Sequence, residues 1–206
     1  RGDYLATLEA VATLVREAER ELGRLATVGV GMPGAESRVT GLIKNANSTW
    51  LIGKPLRQDL EARLRRPVRL ANDANCFALS EAVDGAAAGA EVVFGVILGT
   101  GCGGGVVVRG EVLTGANAIA GEWGHNPLPW PMDEERPGLA CYCGQQGCLE
   151  TWLSGPGLAR DFSAHAARHL SAEEIARGDD VDCQAALARY EDRLARGLAQ
   201  IINVLD

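Results

Sequence analysis

The chain has 206 residues, 47% of them hydrophobic, enough to bury a core in one large domain or in two lobes meeting at a cleft. Its net charge of −7 and pI of about 5.1 repel nucleic-acid phosphates, and Arg63, Arg65, Arg66 and Arg69 alternate with apolar residues as a solvated face rather than a basic patch. No apolar run approaches the roughly 20 residues that span a bilayer and no signal-peptide pattern follows Arg1, so the expectation is a cytoplasmic protein that binds neither nucleic acid nor membrane.

Leu5, Leu8, Val11, Ala12, Val15 and Leu22 recur at helical spacing and predict an amphipathic first helix. No start signal is read before it, which points to residues missing upstream of Arg1. Thr27 to Met32 reads as a strand that stops at the tight turn Pro33-Gly34. Pro55 opens a helix with Leu56, Leu60 and Leu64 on one face, Val68 to Ala71 is a short strand, and Asn72 or Asp73 caps a helix that runs to about Val83.

Val92 to Leu98 is an apolar run suited to a buried strand, followed directly by the glycine-rich segment Gly99 to Gly105. Val106 to Arg109, a turn at Gly110, and Glu111 to Leu113 predict a hairpin. From about Ala185, Leu187, Leu194, Leu198, Ile201 and Leu205 form the stripe of a long helix that meets Asp206 without a stop signal. The alternation of strands and helices predicts an α/β layer architecture, in a chain that reads as cut at both ends. The small-residue stretch Gly85 to Ala90 is the expected lobe boundary, dividing residues 1–88 from 89–206.

The most specific chemical signal is Cys141-Tyr142-Cys143-Gly144-Gln145-Gln146-Gly147-Cys148 with His125 upstream. Three thiolates and one imidazole satisfy the tetrahedral preference of Zn²⁺, and the two glycines let the loop curl. A one-residue spacing disfavours a disulfide between Cys141 and Cys143. Cys76, Cys102 and Cys183 have no such partners and are assigned to packing. If one nitrogen of His125 binds zinc, the other remains to hydrogen-bond, with its tautomer set by the metal. Glu122 and Glu150 then stand beside a rigid clip as acceptors for sugar hydroxyls.

Two further segments each carry two readings. In Gly99-Thr100-Gly101, side-chain-free positions allow backbone N–H groups to approach a phosphate, yet the same residues suit a structural hairpin. Asp73 at a strand end is placed for a general base, yet it also suits a helix cap. His165 and His169 are assigned to a polar helix face without a functional role.

Together, Pro33-Gly34, Asn72-Asp73, Gly99-Thr100-Gly101, Glu122-x-Gly124-His125 and the cysteine cluster ending in Glu150 resemble the ROK family of sugar kinases and sugar-responsive repressors. Lys44 to Trp50, Asn72 to Glu81 and Glu122 to Trp130 are most similar to bacterial fructokinases that also accept mannose, with N-acetylglucosamine kinases next. The resemblance implies an actin-like, ribonuclease-H-like ATPase fold of two lobes, and a homodimer. It implies ATP-dependent phosphorylation of a hexose, fructose first, at the 6-hydroxyl, with Asp73 as catalytic base and Mg²⁺ accompanying ATP.

Under the same resemblance Gly34, Asn72, Asp73, Glu122, His125 and Glu150 hold the sugar, Gly99, Thr100 and Gly101 lie near the ATP phosphates, and His125, Cys141, Cys143 and Cys148 hold a structural Zn²⁺. The family's N-terminal phosphate hairpin and C-terminal adenosine segment are missing from the chain. A repressor of the same family is the alternative, to be told apart by what precedes Arg1.

Overall fold

A computed structural model describes residues 2–205. Helix α1 (Tyr4–Leu22) starts at Asp3, whose extended backbone turns its side chain to accept the Ala6 N–H at 3.1 Å. The start signal not read from the sequence is therefore there: an acidic N-cap three residues before the donor it satisfies. The predicted stripe points Leu8 and Ala12 into the core.

Strand β1 (Val28–Met32) pairs in parallel with β4 (Val68–Asn72), in register from Val28 opposite Val68 to Met32 opposite Asn72. A parallel pair needs a crossover, and helix α2 (Leu56–Leu64) supplies it. Between them lie the short antiparallel strands β2 (Ala35–Glu36) and β3 (Ile43–Lys44). Leu8, Met32, Ile43, Leu51, Leu56, Leu60 and Val68 close one core cluster over these elements.

β4 runs without a loop into α3 (Asp73–Val83), which lies on a three-stranded antiparallel sheet ordered β5 (Val92–Leu98), β6 (Cys102–Val108), β7 (Glu111–Val112). The contact is made of small residues. A Cβ on either Gly95 or Gly105 would come within 2.8 Å of the Ala78 methyl, so the glycines let helix and sheet approach closely. Gly103, Gly104 and Gly105 are thus strand residues paired with Ile97, Val96 and Gly95, and only Gly99 to Gly101 form the turn. The structural-hairpin reading accounts for residues 103–105. Ala78 of α3 packs with Val93 and Val107 of this sheet.

The remaining chain is helical: α4 (Leu149–Leu153), α5 (Gly155–His165), α6 (Ala172–Arg177) and α7 (Val181–Leu205). α7 starts four residues ahead of the expected Ala185, and His169 lies beyond the end of α5 rather than on a helix face. Trp123, Leu149 and Leu153 pack beneath Leu194 and Leu198 of α7. Buried charges tie α7 to its neighbours: Arg193 donates to Glu135 Oε1 at 2.7 Å and to Asp161 Oδ1 at 2.8 Å, and Arg196 and Arg189 complete the two carboxylates at 2.9 and 2.7 Å. Among the described residues, no helix is long and apolar enough to cross a membrane.

Candidate active site and metal centre

The carboxyl end of β4, the glycine turn after β5, the 121–125 turn and the start of α4 surround a cavity of about 270 Å³. Gly34, Asn72 and Asp73 line it from the β1–β4 side. Gly99, Thr100 and Gly101 line it from the sheet, and Glu122, His125 and Glu150 from the helical side. All nine residues singled out for sugar, base and phosphate roles therefore meet around one space.

The competing readings of Asn72-Asp73 separate at this junction. Asn72 is the cap: its Oδ1 accepts the Asn75 N–H at 3.1 Å, while its Nδ2 donates to the Gly34 carbonyl at 3.2 Å. Gly34 has φ 77°, and a Cβ there would overlap the Lys44 carbonyl and lie 2.8 Å from the Ala46 nitrogen, so this turn requires glycine. Asp73 is the first residue of α3, with Oδ1 accepting the Ala74 N–H at 2.9 Å. Because the cap is supplied by its neighbour, the second oxygen of Asp73 is available to a ligand in the cavity.

Across the cavity Glu150 Oε2 accepts the Cys102 N–H at 3.0 Å. Burial pushes the Glu122 carboxyl above its ordinary range; His125 and Lys44 oppose the shift, while the Glu150 and Asp73 carboxylates add to it. Three carboxyl groups around so small a space favour a ligand rich in hydroxyl donors. In the glycine turn the Gly99 N–H donates to the Gly101 carbonyl at 2.9 Å and the Cys102 N–H is held by Glu150. Among the described residues, the Thr100 and Gly101 N–H groups remain open to an anion.

The ligand atoms of His125, Cys141, Cys143 and Cys148 all lie within 4.8 Å of one another. A tetrahedral Zn²⁺ with ordinary bond lengths spaces two sulfurs about 3.8 Å apart and a sulfur and a nitrogen about 3.6 Å apart. The Cys143–Cys148 sulfurs are 3.6 Å apart and Cys141 Sγ is 3.5 Å from His125 Nδ1, so the donor set fits such an ion. None of the six cysteines forms a disulfide. Burial is the main cause that raises the Cys148 thiol to about 12.

Three cavity residues with amide or hydroxyl side chains escaped the sequence analysis as site residues. Asn45, held at φ 56°, and Asn47 enter from the β3 side, and Tyr142 enters from the metal loop. The Asn45-x-Asn47 spacing at a turn was their only local signal. The Tyr142 hydroxyl sits 3.1 Å from His125 Nε2, so the ring nitrogen expected to be left over already has a partner.

The ROK family profile matches residues 1–206. The chain is 44% identical over 214 residues to an N-acetyl-D-glucosamine kinase of Escherichia coli O127:H6, covering 100% of this chain and 70% of that protein. Among solved structures, a ROK hexokinase from Thermus thermophilus superposes with a TM-score of 0.79 at 35% identity, covering 95% of this chain and 65% of that one. A ROK family glucokinase from Streptomyces griseus, in complex with glucose and AMPPNP, superposes with a TM-score of 0.80 at 26% identity, covering 100% and 70%. The family expectation thus holds together with the two-lobed α/β fold it implies. The narrower likeness to fructokinases does not: the relative at 44% identity is an N-acetyl-D-glucosamine kinase.

Proposed function

Since this chain belongs to the ROK family, we propose that it carries the sugar site and catalytic base of an ATP-dependent sugar kinase whose substrate is N-acetyl-D-glucosamine. One observation carries the proposal. An acid at a strand end, two further carboxylates and a glycine turn with open N–H groups face the same cavity, giving a hydroxyl-binding end and a phosphate-binding end within one space. The choice of sugar follows the 44% identical relative rather than any single contact. A cytoplasmic location, where ATP is available and the six cysteines stay reduced, belongs to the same proposal.

In this mechanism Glu122 and Glu150 accept hydrogens from ring hydroxyls and turn the primary hydroxyl toward Asp73. The free oxygen of Asp73 takes the proton as the sugar oxygen attacks the γ-phosphate in line, breaking the bond to the β-phosphate bridge oxygen and releasing ADP. The Thr100 and Gly101 N–H groups cradle phosphate oxygens. Mg²⁺ arriving with ATP supplies charge neutralisation. Positioning and preorganised charge account for most of the rate, and the base contributes a further factor of about 10² to 10⁴.

We assign His125, Cys141, Cys143 and Cys148 to a structural Zn²⁺: when bound, the ion locks the loop that leads into α4 and sets the tautomer of His125. Four protein ligands would leave no coordination position for substrate, so the ion would support the loop rather than act on phosphate.

A phosphorylation assay of the full-length protein with N-acetyl-D-glucosamine, glucose, mannose and fructose tests the proposal. Transfer should be fastest to N-acetyl-D-glucosamine. Preference for fructose would overturn the substrate, and sugar binding with no transfer to any of the four would favour a sensor over an enzyme.

A further inference from the structure

Tyr142 separates Cys141 from Cys143 in the metal loop, and a residue needed only as a spacer could be of almost any type. Instead a phenol stands there with Oη 3.1 Å from His125 Nε2 and its ring edge-to-face with the imidazole, centroids 5.1 Å apart at 87°. On the other side of the imidazole, Nδ1 lies 3.5 Å from Cys141 Sγ, within the cluster of four ligand atoms. With the proposed Zn²⁺ bound, these two contacts fix where the protons go. With a cation on Nδ1, a neutral imidazole must carry its single hydrogen on Nε2. Nε2 then donates and the phenol oxygen accepts.

Two consequences follow from that direction. His125 has no second hydrogen for a ligand, and the hydroxyl hydrogen of Tyr142 is not used on His125. Tyr142 lines the same cavity as Asp73, Glu122 and Glu150, and it stands largely exposed at the mouth. We propose that Tyr142 is a sugar-contacting, specificity-determining residue: its O–H donates to a ring hydroxyl of the bound sugar, taking the place of a direct contact from His125. The proposal rests on the sugar-kinase function above. It makes the metal loop a direct part of the sugar wall as well as its support.

Tyr142→Phe keeps the ring and its edge-to-face contact and removes only Oη. Calorimetry on the zinc-loaded, full-length protein should show the Kd for N-acetyl-D-glucosamine raised about 3- to 10-fold, the scale of one neutral hydrogen bond. KM for ATP and zinc content should be unchanged. A set of singly deoxygenated N-acetylglucosamines gives a second readout. The wild-type advantage should vanish for the analogue lacking the hydroxyl that the phenol contacts and persist for the others, a pattern that a buttressing role cannot produce.

Equal affinity in the two proteins overturns the proposal, as does tighter binding by Tyr142→Phe, which would mean that sugar must displace the phenol from His125. A penalty of the same size for every analogue overturns it, as does zinc loss from Tyr142→Phe under a chelator that leaves the wild type loaded. Failure of the sugar-kinase function itself is recognised separately, because the wild type would then bind none of the sugars, and the proposal would fall with it.

Discussion

Glu150 Oε2 accepts the Cys102 N–H at 3.0 Å, so a carboxylate from the first turn of α4 fastens the last peptide of the glycine turn. A second bond joins the same two segments in the opposite direction: the Gly155 N–H, just beyond α4, donates to the Gly99 carbonyl at 2.7 Å. Because α4 starts directly after Cys148, the metal loop, the acid proposed to grip sugar and the turn proposed to cradle phosphate form one connected unit.

The two ends of the glycine turn should therefore respond differently to a methyl group. A Cβ on Gly101 would lie 2.7 Å from Glu150 Oε2, the oxygen that holds the Cys102 N–H, so Glu150 must shift at that bond. Gly101→Ala should weaken sugar and nucleotide binding together, each by about 10-fold or more, the scale of a hydrogen bond to a charged group. At Gly99 a Cβ meets nothing within 4 Å, so Gly99→Ala should stay near wild type. Separate KM values for the two substrates check this; a Gly101→Ala effect confined to ATP would contradict the coupling.

Asp73→Asn should lower kcat by at least about 10²-fold while leaving sugar affinity and melting temperature nearly unchanged. The fold is spared because Asn72, not Asp73, caps α3. Asn72→Ala should instead cost about 1 kcal/mol of stability through the lost cap, and should free the Gly34 turn. Kinetics and thermal unfolding on the same pair of variants separate catalytic from structural loss.

Removing the metal by chelation, or by Cys148→Ser, should release about one zinc per chain and weaken sugar binding by roughly 10- to 100-fold. The Glu150 and Gly155 bonds carry the disturbance onward, so nucleotide affinity should fall as well, by a smaller factor. Calorimetry on metal-free protein that circular dichroism finds still folded is the measurement. Full ATP affinity there would show that α4 does not transmit the loss.

Burial alone would raise the carboxyls of Glu135 and Asp161. Hydrogen bonds from Arg196 and Arg193 to Glu135, and from Arg189 and Arg193 to Asp161, outweigh it and bring Glu135 down to about 2. A folded pKa below the unfolded value of about 4.3 gives stability that is complete above that value and lost as pH falls toward the folded one. Urea midpoints should be flat above about pH 5 and drop between about pH 4 and 2. Glu135→Gln should flatten that drop and cost about 3 kcal/mol at neutral pH by leaving Arg193 short of a partner. An unchanged acid limb would remove the network from the stability of α7.

What could be read in the sequence was local. The apolar run Val92–Leu98 is a strand over the expected bounds, and the helix after Asn72 ends at Val83 as expected, because their signals lie within one or two turns of chain. The gathering of the cysteines was legible for the same reason: three of them within eight residues curl on two glycines whatever packs around them. Even locally one signal escaped, since Asp3 is a single capping residue with no capping-box acid behind it.

The rest was decided by packing between distant segments. Whether Asn72 or Asp73 caps α3 depends on where the β4–α3 junction turns, and whether glycines 103–105 are loop or strand depends on α3 lying against them. Glu150 reaches Cys102 across 48 positions, and Arg193 reaches Glu135 across 58. Such pairs leave no periodic trace in a sequence: each side chain is ordinary in its own neighbourhood, and only the folded backbone brings donor and acceptor within hydrogen-bonding distance.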